Sequence, residues 1–331
     1  MDYEFYMNRA LQLALKGNGF VSPNPLVGAV VVSPDGNIIG EGWHQQFGGP
    51  HAEVNAFNSI ESKNRRIIPD STLFVTLEPC AHHGKTPPCV ELIVKKKIRK
   101  VVIGNEDPFE KVAGKGISIL REHNIEVITG VLNDKCYELN KKFFFAHTHK
   151  RPYLTLKWAQ SKDGWLDSKT EHPYRFSTQL SNVTVHKVRS LNDVIITSAR
   201  TINSDNPHFD LRNWHGMRLP IIVVIGHTTI DTGLHLSNNN RIICFSNITD
   251  LYHILSKLYN EYGVISALVE AGGTLVNSFI ESGLWNEARV EVCPIELGNK
   301  GVISAPTNLP IPASIEEIDG NTILHYYNSL I

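Results

Sequence analysis

The chain has 331 residues, of which 42% are hydrophobic and 20% charged, and a formal net charge of −1. A single hydrophobic core stops growing near ~250–300 residues, so two domains are expected. Near-neutral charge excludes a chain built to coat nucleic acid or an anionic membrane. The five cysteines, of which only Cys80 and Cys89 lie close together, exclude a disulfide scaffold and favour a thiol pair that binds metal or reacts.

The first residues, MDYEFYMNRA, carry acidic groups where a secretory signal would carry basic ones. No apolar run approaches the ~20 residues that span a bilayer, so a cytoplasmic chain is expected. Residues 5 to 16 place Tyr6, Ala10, Leu13 and Ala14 on one helical face, with Gly17 as the C-cap. Residues 28–32 form an apolar strand and 38–42 its return across Ser33-Pro34-Asp35-Gly36. Helices are expected over 51–59, after Pro88 and near 116–123, and strands over 73–77, 101–103 and 125–131. Strands alternating with helices predict a three-layer α/β domain. Lys95, Lys96, Lys97, Arg99 and Lys100 form a basic run, either a solvated face or a contact to phosphate or another subunit.

Between about 140 and 152 the texture changes, and a polar stretch ends at Pro152. It is the expected boundary between domains over 1–148 and 149–331. Beyond it the alternation restarts. Strands are expected over 153–158, 194–197, 221–225, 242–245 and 266–270, and helices over 178–190, 251–259 and 273–282. Ligand sites in such folds lie at the carboxyl ends of strands.

The chemistry concentrates in Pro50-His51-Ala52-Glu53, Glu78-Pro79-Cys80 and Pro87-Pro88-Cys89. A catalytic zinc takes three protein ligands and leaves one position for water. His51, Cys80 and Cys89 supply that set. Glu53, two residues past His51 at a helix start, can stand beside the water as proton carrier. His-x-Glu followed by Pro-Cys is the zinc-deaminase arrangement. A structural zinc would need a fourth ligand, which His82 or His83 can supply. Eight residues separate the two cysteines instead of the two of nucleic-acid deaminases, and this polar, basic loop suits a phosphorylated substrate.

Five segments resemble the bifunctional deaminase/reductase family of bacterial riboflavin biosynthesis. They are Pro-Asn-Pro-Leu-Val-Gly (23–28), Gly-Glu-Gly-Trp-His (40–44), Pro-His-Ala-Glu-Val (50–54), the run from Thr76 to Cys89, and residues 107–116. The likeness continues through 156–164, 201–207 and 269–275. It implies a cytidine-deaminase-like domain that hydrolyses the ring amine of a phosphoribosylamino-pyrimidinone, with Zn2+. It also implies a dihydrofolate-reductase-like domain that uses NADPH to reduce the ribosyl group to ribityl. By the same resemblance Asn24, His44, Lys157, Arg189, Phe209, Arg212 and Glu270 meet substrate. Ala159, Thr201, Asp205, Gly272, Gly273 and Thr274 meet the cofactor, and Arg175 stands at a cofactor-side position. Gly272-Gly273 after a strand can offer backbone N–H groups to phosphate, and Arg189 with Arg212 can clamp a substrate phosphate.

The second half departs from the family pattern. Arg175 replaces a cofactor-side tryptophan, and Gly226-His227 stands where an Asp-Ser pair is usual. Either Arg175 and His227 engage the extra phosphate of NADPH, or the second domain is degenerate and the protein deaminates only. A nucleic-acid editing deaminase and a zinc-stabilised binding module are the competing classes. The small-molecule reading implies no nucleic-acid or membrane partner, and a homo-oligomer is expected.

Overall fold

A computed structural model describes all residues except 82–86, 109–113, 170–173, 215–218, 227–228, 237–240, 247–249 and 329–331. The chain divides into two compact units, Met1–His149 and Lys150–Ile331.

The first unit begins with α1 (Tyr3–Leu15), then β1 (Gly28–Val32), β2 (Ile38–Trp43), α2 (Ala52–Asn58) and β3 (Thr72–Leu77). It continues with α3 (Cys89–Lys96), β4 (Lys100–Asn105), α4 (Lys115–Glu122), β5 (Glu126–Thr129), α5 (Asn133–Leu139) and α6 (Lys141–His149). The sheet order is β2-β1-β3-β4-β5, antiparallel around β1 and parallel from β3 to β5. Its central strands are apolar on both faces because both are covered. Ala29, Val31, Leu73 and Val75 pack with Ala56, Phe57, Ile93 and Leu120 of α2, α3 and α4. Val30, Val32, Phe74 and Val102 pack with Met7, Ala10 and Leu13 of α1 and Cys136 of α5. This is the expected three-layer arrangement. Gly28 lets α1 lie directly on the sheet, since a Cβ there would run into the Ala10 carbonyl.

Two local expectations are corrected. Lys16, in a right-handed helical conformation, caps α1 in place of Gly17. Gly17 is small for room, because a Cβ there would sit 2.5 Å from the His44 carbonyl oxygen. The stretch expected as a polar break is mostly helix: Phe143, Phe144, Phe145 and Ala146 are buried in α6, and the turn falls after His149, where Lys150 has φ 55°.

The second unit carries β6 (Tyr153–Ser161), β7 (Trp165–Ser168), α7 (Gln179–Ser190), β8 (Val194–Ser198), α8 (Ala199–Asp205) and β9 (Ile221–Ile225). Then follow β10 (Ile242–Phe245), α9 (Leu251–Tyr262), β11 (Ser266–Val269), α10 (Gly273–Glu281) and β12 (Glu287–Cys293). β13 (Gly301–Ser304), β14 (Ser314–Ile318) and β15 (Asn321–Tyr327) close the chain. The main sheet runs β10-β9-β8-β11-β6-β12-β15-β14, parallel from β10 to β12, and β7 pairs with β13 apart from it.

One face of this sheet is apolar. Leu154, Leu156, Ile196, Val269 and Val290 pack against Leu255 and Leu258 of α9 and Phe279 of α10. The other face is divided. Beside β8 and β9 it is apolar, with Ile195, Ile222 and Ile202. Beside β6 and β12 it is polar, with Thr155, Arg289 and Glu291 buried and Lys157 level with Arg289 across the ladder. α7 covers that polar region: Arg289 Nη2 donates to Thr184 Oγ1 at 2.9 Å.

Candidate active site

The ends of three elements converge in the first unit. His51 occupies the N-cap position of α2, Cys89 opens α3, and Cys80 follows the end of β3. The His51 Nδ1 lies 3.5 Å from Cys80 Sγ and 3.3 Å from Cys89 Sγ, and all three donor atoms fall within 4.8 Å of one another. Tetrahedral zinc, with Zn–S near 2.3 Å and Zn–N near 2.0–2.1 Å, requires S···N separations of about 3.6 Å. The donor set therefore fits zinc in both chemistry and spacing. The Cys89 N–H at the start of α3 donates to Cys80 Sγ at 3.3 Å, so the positive end of that helix favours thiolate on Cys80.

Glu53 lies in the first turn of α2 and is only 3% exposed. Burial, and then the nearby Cys80 charge, push its carboxyl up to about 7. The Cys80 thiol is lowered to about 4, first by its hydrogen bond with Cys89, and the Cys89 thiol is pushed well up by the same partner. Without metal the two sulfurs thus share one proton, carried on Cys89. The hydrogen bond that His51 donates to the Cys80 sulfur raises the pKa of His51.

Asn24 and His44 meet beside this cluster. Asn24 Nδ2 lies 3.0 Å from His44 Nε2, His44 Nδ1 lies 3.0 Å from the Pro50 carbonyl oxygen, and the rings of His44 and His51 are 5.5 Å apart. A carbonyl only accepts, so His44 carries its proton on Nδ1 and takes the Asn24 N–H on Nε2. That turns the Asn24 carbonyl oxygen away from His44. Burial lowers the His44 pKa, which keeps the ring neutral. His82 and His83, the alternative fourth ligands, lie outside the described residues.

Motif reading includes Glu78 with Pro79-Cys80 but assigns it no role of its own. It is buried, and its carboxylate accepts backbone N–H groups from Asp107, Gly114, Gly116 and Ile117 at 2.9–3.2 Å. Only its place beside Pro79-Cys80 in the sequence hints at a special role.

In the second unit two groups of expected residues assemble. Gly272 is the N-cap of α10, Gly273 and Thr274 open that helix, and the Gly272 N–H donates to Thr201 Oγ1 of α8 at 3.2 Å. These residues stand at the carboxyl ends of the neighbouring strands β8 and β11. Asp205 ends α8 exposed, its carboxylate accepting from Ser204 Oγ.

The second group surrounds Arg189. Its Nε and Nη2 donate to both oxygens of Glu270 at 2.6 and 2.7 Å, and its guanidinium lies 5.4 Å from the Phe209 ring. Arg189 therefore spends its fork on Glu270, whereas Arg212, half exposed, pairs with Asp210 at 2.9 Å. The two arginines do not form a ready clamp. Arg189 and Lys157 draw the Glu270 pKa below its ordinary value against the pull of burial. Lys157, on β6 two residues before Ala159, is lowered by burial, while Glu270 and Glu291 oppose that shift. Glu291 accepts from Ser177 Oγ at 2.8 Å and from Asn321 Nδ2 at 2.6 Å, anchoring the segment that carries Arg175. Arg175 itself is exposed, and His227 lies outside the described residues. Sequence reasoning overlooks Glu291 and Arg289 because an alternating Glu-Ala-Arg-Val-Glu strand looks half-solvated.

Residues 1–105 match the cytidine and deoxycytidylate deaminase zinc-binding region, and residues 152–319 match the RibD C-terminal domain. The riboflavin biosynthesis protein RibD of Bacillus amyloliquefaciens is 37% identical over 321 residues, covering 89% of this chain and 85% of that protein. The Aquifex aeolicus RibD is 32% identical, with 97% of each covered. Among solved structures, Acinetobacter baumannii RibD superposes with a TM-score of 0.91 at 30% identity over 99% of both chains. A diaminohydroxyphosphoribosylaminopyrimidine deaminase/5-amino-6-(5-phosphoribosylamino)uracil reductase from Thermotoga maritima gives 0.87 at 34% identity over 98% of both.

Proposed function

Since the chain belongs to the RibD family of bifunctional deaminase/reductases of riboflavin biosynthesis, we infer that its two units catalyse consecutive steps on one phosphoribosylated pyrimidine. The first removes the ring amine of 2,5-diamino-6-(5-phosphoribosylamino)pyrimidin-4-one. The second reduces the ribosyl group of the product to ribityl with NADPH. The observation that carries this reading is the convergence of His51, Cys80 and Cys89 on one point with Glu53 buried beside them.

His51 Nδ1 and the two cysteine sulfurs would hold zinc. Zinc at a three-ligand site acts as a Lewis acid on water and brings its acidity to near ~7. The Glu53 carboxylate takes one proton from the attacking water and passes it to the ring nitrogen, then takes the second from the hydroxyl so formed and passes it to the departing amine. Its pKa of about 7 suits both directions of transfer near neutral pH. The water oxygen bonds to the ring carbon, the C–N bond breaks, and ammonia leaves. The Asn24 carbonyl oxygen, oriented by His44, accepts from the pyrimidine edge.

In the second unit NADPH supplies hydride. Gly272, Gly273 and Thr274 present the α10 N-terminus to its phosphates, with Thr201 fixing the Gly272 amide and Ala159, Asp205 and Arg175 completing the cofactor contacts. Lys157, Glu270, Arg189, Phe209 and Arg212 hold the opened ribosyl chain. This reading places a small-molecule substrate in the cytoplasm, acted on by a homo-oligomer.

The test is turnover with the purified, zinc-loaded protein. Deamination should fall about 10³-fold in Glu53→Gln with zinc retained, and NADPH should be consumed only when the deaminated pyrimidine is present. Full deamination by Glu53→Gln would overturn the metal-site roles. Folded wild-type protein that deaminates without consuming NADPH would leave a deaminase with a degenerate second unit.

A further inference from the structure

Glu78 is a buried carboxylate whose described partners are backbone N–H groups. Oε2 accepts from Asp107 at 3.1 Å and Gly114 at 3.0 Å, and Oε1 accepts from Gly116 at 2.9 Å and Ile117 at 3.2 Å. Desolvating a carboxylate is costly unless its lone pairs are filled. Four N–H groups and the positive end of a helix fill them here. Gly114, the N-cap of α4, has no side chain with which to cap that helix, so Glu78 caps it from just past the end of β3.

The same grip reaches toward Cys80. The Glu78 N–H donates to the Asn105 carbonyl at 2.9 Å, which extends the β3–β4 pairing up to the ligand loop. Gly116 abuts the Pro79 carbonyl so closely that any Cβ there would displace it, and it would also lie 3.1 Å from Glu78 Oε1. On its other side Cys80 is tied to α3: its carbonyl accepts the Val90 N–H at 3.3 Å and its sulfur the Cys89 N–H at 3.3 Å. Cys80 is thus suspended between the N-termini of α3 and α4. The second tie runs through Glu78.

We propose that Glu78 is the positioning residue of the metal centre: by capping α4 and pinning both Asp107 and Gly114, it sets where Cys80 stands relative to His51 and Cys89 and ties metal occupancy to the order of the α4 N-terminus. The proposal rests on the reading of His51, Cys80 and Cys89 as zinc ligands. Coupling of this kind is reciprocal, so metal should tighten the clasp as much as the clasp tightens metal.

The experiment measures zinc release to an excess of chelator, read with a zinc-responsive dye. Glu78→Gln keeps the shape but turns an amide N–H2 toward two of the four backbone donors. Gly116→Ala attacks the same contact through the Pro79 carbonyl, although alanine is the better helix former. Each should speed zinc release by ten- to a hundredfold, the usual effect of disturbing a ligand's support. Leu120→Ala, a core change in α4 away from the clasp, should lower the melting temperature without changing release.

Hydrogen exchange on the wild-type protein tests the reciprocal effect and needs no variant. Removing zinc should speed exchange at Gly114, Gly116 and Ile117 at least tenfold while Val101 to Ile103 of β4 stay protected. Zinc release unchanged in both folded clasp variants overturns the proposal. So does unchanged amide exchange in the metal-free protein, or an equal acceleration of release in Leu120→Ala. Wild-type protein that takes up no zinc overturns the ligand assignment and this proposal with it.

Discussion

Replacing Glu53 by Gln should destroy deamination and yet make the metal-free first unit more stable. Glu53 titrates near its ordinary value of 4.5 in the unfolded chain and at about 7 in the fold, chiefly because it is buried. Below pH 4.5 both states hold the proton and the group is neutral to stability. As pH rises from 4.5 the unfolded chain ionises first, so folding loses free energy progressively until the buried carboxyl ionises near 7. At about 1.36 kcal/mol for each tenfold change in acidity, the loss above that pH reaches roughly 3 kcal/mol. Gln cannot ionise and escapes it. Cys80 works in the opposite direction, because its folded pKa of about 4 lies below its ordinary value and adds stability as pH rises. Only the difference between wild type and Glu53→Gln isolates the carboxyl. Native-state hydrogen exchange at Val101 and Ile103, compared at one pH in the chelator-treated proteins, reads the opening free energy of this unit. The variant should exchange about 10²-fold more slowly at pH 8 and equally at pH 4.5. A variant equal to or less stable than wild type at pH 8 would refute the burial argument.

Glu270→Leu should strand the Arg189 guanidinium, itself mostly covered beside Phe209, and cost about 3–5 kcal/mol in urea unfolding; adding Arg189→Met should recover most of it while reduction stays lost, and a single-variant cost under 1 kcal/mol would contradict the pairing. Thr201→Val removes the oxygen that accepts the Gly272 N–H. The KM for NADPH should rise about tenfold, near the ~1–1.5 kcal/mol of one hydrogen bond, with deamination kinetics unchanged. Gly28→Ala forces a methyl into the Ala10 carbonyl and should destabilise the first unit by about 1–3 kcal/mol, visible as faster exchange in β1.

What was legible in the sequence was what is local. His51 and Glu53 lie on one helical turn, and Cys80 and Cys89 bracket a short loop, so their spacing carries the chemistry. The alternating elements of both units follow from periodicity for the same reason. The pairing of Arg189 with Glu270 was not legible, because they stand 81 positions apart and either alone looks like a surface residue. Glu78 escaped because its partners are backbone amides, which leave no trace in side-chain identity. The helix over Lys141–His149 was obscured because its charged ends mask a short buried phenylalanine run. β12 was hidden because its Glu and Arg positions face α7 rather than water.

That last arrangement bears on how the second unit breathes. α9 is fastened by Leu251, Ile254, Leu255 and Leu258, whereas the buried side of α7 is Ser181, Val185, His186 and Ser190. At about 1.5–3 kcal/mol for each large apolar side chain, α9 holds several times the grip of α7. What retains α7 is directional: the tie from Arg289 to Thr184 and the tie from Arg189 to Glu270. Polar ties lose little when water replaces them, so α7 is held over Lys157 and Glu291 less firmly than α9 is held on the opposite face. The unit has, in effect, one wall sealed with oil and one fastened with latches.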